Sequence, residues 1–467
     1  MARPDSSQAR RLSGPRIAFA LRGWAVRGLA LVALLAAAAG GLHAAPPPAR
    51  FPQPEFESGH VQPLTDVPPP RSGALETLDV AVLAAALGLA AWLALKRRSR
   101  RGMAALSLFA VGYFGFFRQG CVCPIGAIQN VASVLADPAA LIPWTVAAFF
   151  IMPLVFAALF GRVFCAAVCP LGALQDLTVW KPLRVPPWLG EPLKLLPVLY
   201  LGLAVLLAAT GADYIICRFD PYIGLYRVGG PATMILAGAL LLALGLFVAR
   251  PYCRFLCPYG VLLGWISRFA YRHATITPDG CVNCRLCEHA CPYDCIRAPE
   301  AERSPEPRQR AIRRLAFALA LVPLLALAGA GVGWGLHRPL ARLHSEIRLA
   351  ERVALEERSA AGALTVESEA FRATGRPLTE LAAEALRLRR QFRLGSILLG
   401  AFVGLVLGAR LAGLARWPRR DCYDVDRADC VSCARCFESC SVDRAARALA
   451  PAQPAAVAED RGGSHAG

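Results

Sequence analysis

The 467-residue sequence contains no Cys-x-x-Cys-His haem-attachment motif, no Rossmann glycine pattern and no Walker phosphate loop, so covalent c-type haem and nucleotide-dependent chemistry are not expected. Acidic residues are scarce, 33 Asp and Glu against 51 Lys and Arg, and the formal charge is +18. A nucleic-acid partner would require a basic face on a polar domain with a recognisable binding motif, and none is present. The arginines stand instead in short runs beside apolar segments, as in Lys96-Arg97-Arg98-Ser99-Arg100-Arg101 and Arg416-Trp417-Pro418-Arg419-Arg420. That is the positive-inside pattern, and a hydrophobic content of 56 % agrees with a chain lying mostly in lipid.

Basic residues (Arg10, Arg11, Arg16, Arg22, Arg27), an apolar run and the small pair Ala44 and Ala45 make residues 1–45 a signal peptide or an uncleaved anchor. A proline-rich extracytoplasmic linker, 46–75, is too short to fold alone. Apolar runs recur near 78–95, 103–117, 140–160, 195–212, 231–249, 314–336 and 394–415, each near the length that crosses about 30 Å of hydrocarbon. The fold expected is an α-helical polytopic membrane protein of about seven transmembrane helices. Counting crossings from an outer linker places the arginine-rich segments 96–101, 303–314 and 416–420 all inside; without the short 103–117 span the last two would be exported. The domain plan is a five-helix membrane domain at 76–270, a ferredoxin half at 271–302 and a transmembrane hairpin at 312–416 whose polar helical lobe, 337–393, lies outside. A second ferredoxin half at 417–447 and a disordered tail at 448–467 complete it.

Seventeen cysteines would imply a disulfide scaffold in a small secreted chain, but most of these stand at ligand spacings. Cys281-x2-Cys284-x2-Cys287-x3-Cys291-Pro and Cys430-x2-Cys433-x2-Cys436-x3-Cys440 match the bacterial two-cluster ferredoxin run, in which three close thiolates take one [4Fe–4S] cluster and the fourth cysteine takes the other. The expected sets are Cys281, Cys284, Cys287 and Cys440 for cluster 1, and Cys430, Cys433, Cys436 and Cys291 for cluster 2. The competing readings are two independent single-cluster loops, or zinc, which favours four ligands in two pairs. Cys440 is followed by Ser441 where Pro is usual, and Cys295 and Cys422 read as packing residues.

The pattern Cys-Pro-x-Gly before an apolar helix occurs three times, at Cys123, Cys169 and Cys257. Proline suits the first helical position, which puts each cysteine at an N-cap where the helix dipole favours a thiolate. Cys165, Cys169, Cys253 and Cys257 end two spans of the same direction and are candidates for a metal or redox site at the cytoplasmic face; the alternative is reduced cysteines capping two helices. Cys121, Cys123 and Cys217 are expected together at the outer face, as a metal or cluster site, a disulfide or inert thiols. His337 and His344 read as solvated side chains of the outer lobe.

Phe116-Phe117-Arg118-Gln119-Gly120-Cys121-Val122-Cys123-Pro124, the stretch Gly161 to Gln175 and the stretch Arg250 to Gly260, together with the two ferredoxin motifs, resemble the membrane polyferredoxins that include the NosR-type proteins of nitrous oxide reduction and the NapH-type proteins of periplasmic nitrate reduction. The resemblance spans roughly residues 76 to 445 and is closest to the membrane-and-ferredoxin half of the NosR type. It implies a multi-pass protein of the bacterial inner membrane with its ferredoxin domain in the cytoplasm. Electrons would pass between a ferredoxin, flavoprotein or quinol donor and an extracytoplasmic acceptor, a reductase or a maturation system. Two other roles fit such a protein: reducing a metal such as copper during metallocentre assembly, and sensing redox state for transcription. The chain departs from the NosR type in lacking a Ser/Thr-Gly-Ala-Thr flavinylation sequence, of which Ser72-Gly73-Ala74-Leu75 is only a partial look-alike, so covalent flavin is not expected.

Overall fold

A computed structural model describes residues 72–120, 123–137, 141–229, 231–276, 281–299, 307–358, 364–414, 422–442 and 444. The signal or anchor, nearly all of the linker, the tail and Cys121 lie outside the described residues. Lipid offers no hydrogen bonds to a backbone, so the apolar runs fold as helices that satisfy their own N–H and C=O groups. Helix α1 (Gly73–Ala91) continues as a π-helical turn, Trp92–Arg97. Ser99 caps α2 (Arg100–Ala110) by accepting from the Gly102 N–H, and a second π-helical turn, Val111–Phe117, extends it. There follow α3 (Pro124–Ala136), α4 (Trp144–Phe160), a third π-helical turn at Phe164–Val168 and α5 (Pro170–Thr178). Next come α6 (Pro187–Leu193), α7 (Leu196–Ala209), the single turns α8 (Ile215–Arg218) and α9 (Ile223–Tyr226), and α10 (Ala232–Gly245). The short α11 (Pro251–Phe255) and α12 (Pro258–Ser267) close this part of the chain.

After it come α13 (Leu286–Ala290), β1 (Ile296–Arg297), a long helix α14 (Arg308–Ala341), the lobe helices α15 (Ser345–Arg358) and α16 (Val366–Ala373), a second long helix α17 (Leu378–Leu414), β2 (Asp424–Val425) and α18 (Arg435–Ser439). Among the described residues, four helical stretches are long and apolar enough to cross a membrane: Gly73–Arg97, Pro187–Ala209, Gln309–Ala341 and Leu378–Gly413. The other three expected spans are shorter or more polar. Trp144–Phe160 and Ala232–Gly245 are apolar helices of 17 and 14 residues, and α2 carries Arg100 and Arg101 in its first turn.

Helices α14 and α17 pack along one another through glycines. A Cβ on Gly400 would strike the backbone of Gly329, one on Gly333 that of Ser396, and one on Gly404 that of Leu325, so only hydrogen side chains allow this approach. The hairpin rests on α7, where Gly202 faces Leu399 and Phe402, and Phe402 meets Trp265 of α12 edge-on. Because the two cysteine loops flank the hairpin in sequence, its antiparallel course returns them to one place. There β1 pairs antiparallel with β2, Ile296 opposite Val425 and Arg297 opposite Asp424, and α13 packs on α18. A continuous core joins this unit to the helices, running from Leu83 and Phe114 through Tyr222 and Tyr259 to Cys433 and Phe437.

Candidate metal centres

The two cysteine loops have the same backbone. Asn283 and Arg285 in the first, and Ser432 and Ala434 at the equivalent positions of the second, all take the left-handed conformation, with φ of 52°, 61°, 56° and 65°. A non-glycine residue rarely adopts it, and two per loop at matched positions mark a shared, imposed shape. Alternating left-handed residues turn successive N–H groups toward the inside of a loop, the geometry that holds anionic iron–sulfur sites. One such donor is visible, Ser432 N–H to Cys430 Sγ at 3.3 Å. A five-residue helix follows each loop, and Cys291 and Cys440 occupy equivalent C-caps.

Cys291 of the first loop and Cys430, Cys433 and Cys436 of the second line one cavity, and Cys295 lines it with them. This donor set fits a four-iron cluster: four thiols, an apolar wall of Ala274, Ile296 and Val425, and no carboxylate. The Cys295 thiol, 3.3 Å from Cys291 Sγ, holds Cys291 below the ordinary thiol range despite its burial, and lowers Cys430 as well. Cys287 lies within electrostatic reach of Cys281 and Cys284 on the first loop, where Cys284 is exposed. Cys440 is half-buried at the end of α18.

Two of the described membrane thiols expected on opposite faces come together. Cys123 and Cys169, expected on opposite sides, line one cavity with Gly120, Asp220, Ile223 and Tyr226. Both cap helices that start in the interior and leave in opposite directions. Helix α3 runs away from the ferredoxin loops, since Ser133 near its far end bonds the Ala208 carbonyl at the end of α7 and Tyr214. Helix α5 runs toward the loops and ends near Asp176, which bonds Tyr293 and Arg435. Helix α12 does the same, from Tyr259, bonded to the Phe150 carbonyl in mid-α4, to Ser267, bonded to the Arg427 carbonyl. A Cys-Pro cap reads the same in sequence at a membrane surface or inside it. Cys217 lies beside the first turn of α3, its Sγ 3.1 Å from where a Cβ of Gly126 would stand.

Cys165, Cys169 and Cys257 are buried, Cys253 is half-buried, and the four are mutual electrostatic neighbours. Gln175 Nε2 donates to Cys253 Sγ at 3.3 Å, Gly260 N–H to Cys257 Sγ at 3.3 Å, and Arg162 lies 3.9 Å from Cys165 Sγ. Arg250, 1 % exposed, donates to the carbonyls of Cys165 and Ala166. The guanidiniums of Arg162 and Arg250 and the helix N-termini at Cys169 and Cys257 offset part of the cost of burying anionic sulfur here. Among the described residues no three His, Cys, Asp or Glu side chains converge closely enough to hold a single metal ion. His344 is buried, its Nδ1 accepting from the Glu346 N–H in the first turn of α15.

Asp176 joins these regions. Its carboxylate takes Arg100 at 2.5 Å, Arg435 at 3.2 Å, Arg250 at 3.4 Å and the Tyr293 hydroxyl at 2.6 Å. Burial would raise its pKa, but the three guanidiniums outweigh that and hold the carboxyl well below the usual range. Arg250 in turn lies within electrostatic reach of both Cys253 and Cys433, one thiol from each region. Neither Asp176 nor Cys295 had any signal in the sequence beyond its residue type.

A family model described as a 4Fe-4S binding domain matches residues 142–188 and 230–276. These stretches hold Cys165 and Cys169, and Cys253 and Cys257, and neither contains a ferredoxin loop. The chain is 28 % identical to the regulatory protein NosR of Pseudomonas aeruginosa over 236 residues, 43 % of this chain and 30 % of that protein. It is 30 % identical over 188 residues to the methylamine utilization ferredoxin-type protein MauN of Paracoccus denitrificans, 37 % of this chain and 66 % of MauN. The chain is similar to the NosR/NapH-like membrane ferredoxins. Another relative, YccM of Escherichia coli (strain K12), is 30 % identical over 158 residues, 30 % of this chain and 43 % of YccM. The matches thus span less than two thirds of each of these relatives. No solved structure matches the chain. The 4Fe-4S family-model match, the ferredoxin-type relatives and the four long apolar helices among the described residues support a membrane iron–sulfur protein of an electron-transfer type.

Proposed function

We propose that this protein carries electrons between a donor on its ferredoxin side and an acceptor across the membrane, through two [4Fe–4S] clusters with crossed ligands and then the thiol site of Cys165, Cys169, Cys253 and Cys257. The observation that carries the reading is the repeated loop: two cysteine runs with left-handed residues at matched positions, joined by β1 and β2, with Cys291 of one run in the cavity of the other. Bound clusters would supply one-electron carriers. The chain's own residues set their order. The first loop is the more exposed, with Val282 67 % and Leu286 44 % accessible, and would meet the donor. The second loop touches the membrane domain through Arg435 and Asp176, and Arg162 bonds the Ala428 carbonyl beside it. Beyond it, the family-model match over the two Cys-x3-Cys-Pro segments supports an iron–sulfur role for their four thiols. About 30 Å of hydrocarbon is too wide for one electron step, which gives an interior site a purpose.

In this reading the ferredoxin unit lies in the cytoplasm, the membrane is the bacterial inner membrane, seven helices cross it and the α15–α16 lobe lies outside. Purified protein reduced with dithionite is expected to show interacting [4Fe–4S]+ signals by EPR and to contain at least about eight iron atoms per chain. Iron near four per chain, or no such signals, overturns the two-cluster reading.

A further inference from the structure

Cys295 lies outside the four-cysteine spacing, yet it stands in the cavity lined by Cys291, Cys430, Cys433 and Cys436, its Sγ 3.3 Å from that of Cys291. We propose that Cys295 is a reserve ligand of this site, able to take the place of Cys291; the proposal rests on the iron–sulfur reading above. Its position is fixed from both sides. Asp294, left-handed with φ of 53°, turns the chain so that the thiols of residues 291 and 295 face one another, and Arg184 and Arg254 hold its carboxylate at 3.7 Å each. The Cys295 carbonyl accepts from the Asp426 N–H at 2.8 Å, and the next residue, Ile296, pairs with Val425. Cys295 is 3 % exposed, so it is shielded from solvent oxidants. The exchange would break the Fe–S bond to Cys291 and form one to Cys295, the proton of the incoming thiol passing to the departing Cys291 sulfur 3.3 Å away, with no change in the oxidation state of the iron.

The test compares iron and acid-labile sulfide in Cys291→Ala, Cys295→Ala and the double variant, each as the full chain in detergent, with EPR of the reduced proteins. Cys291→Ala is expected to keep the wild-type iron content with an altered signal from one cluster. Cys295→Ala keeps the iron, and the double variant loses about four atoms per chain. Cys291→Ala falling to the level of the double variant overturns the proposal, as does a double variant that keeps all its iron. The near-isosteric Cys291→Ser and its double with Cys295→Ser repeat the comparison where the alanine variants do not accumulate. Wild-type protein without iron would sink the iron–sulfur reading instead, a separate outcome.

Discussion

Asp176 is one carboxylate set against three guanidiniums, those of Arg100, Arg250 and Arg435, and its side chain is fully buried. The surplus positive charge lies beside sulfur, since Arg250 reaches toward Cys253 and Cys433. Removing the carboxylate would leave buried arginines uncompensated, a loss of about 3–5 kcal/mol for a broken buried pair. Asp176→Asn keeps the shape and removes the charge. It is expected to loosen the contact between the second loop and α5, seen as faster hydrogen exchange at 430–436 and a lower unfolding midpoint. Wild-type exchange in that loop would show that Asp176 does not dock it. The pH sign follows from the depressed pKa: the ionised carboxylate's contribution is complete above the ordinary carboxylate range, near 3.9, and is lost as pH falls through the still lower folded-state value.

At the scale of elements, the α14–α17 contact depends on glycine. A side chain on Gly404 meets the Leu325 carbonyl and Ala326 Cα, whereas one on Gly335 meets nothing within 4 Å. Gly404→Leu is therefore expected to destabilise the hairpin by about 1–3 kcal/mol, as overpacking does. Lower accumulation and lower iron content should follow, because the hairpin is the stretch of chain that returns the second cysteine loop to the first, while Gly335→Leu accumulates normally. Equal accumulation of the two would show that the close approach is not limiting. The helices themselves were legible in the sequence, since an unbroken apolar run of membrane length permits little else. So were the cysteine loops, whose spacing is their function. Three features were not. The depth of Cys123 and Cys169 depends on Tyr226, Ile223 and Asp220, far away in sequence. The contact of Cys295 with Cys291 requires the left-handed turn at Asp294. The clustering of Arg100, Arg250 and Arg435 requires four separate segments to meet, and periodicity records only one element at a time.

For the whole molecule, the hairpin fixes which parts lie at opposite ends. At about 1.5 Å per residue, the 34 residues of α14 and the 37 of α17 each reach roughly 50 Å, well beyond about 30 Å of hydrocarbon, so both extend past one membrane surface. The overhang is polar: Arg376 pairs with Glu380 and Glu384, Arg389 with Glu351, and Arg372 with Glu356, tying α15 and α16 to α17. Such a lobe belongs in water, while the ferredoxin loops sit where α14 begins and α17 ends. In the proposed arrangement, with α14 and α17 both crossing, the two face different compartments, and the arginine runs at 96–101 and 416–420 support the ferredoxin end inside. Alkaline phosphatase, active only outside the cytoplasm, is expected to be active when inserted after Glu357 and inactive when fused after Arg444; a fluorescent protein that matures only in the cytoplasm should give the reverse. Activity of one reporter at both sites would place the lobe and the clusters in one compartment. It would overturn both the hairpin crossing and the transfer of electrons from one face to the other.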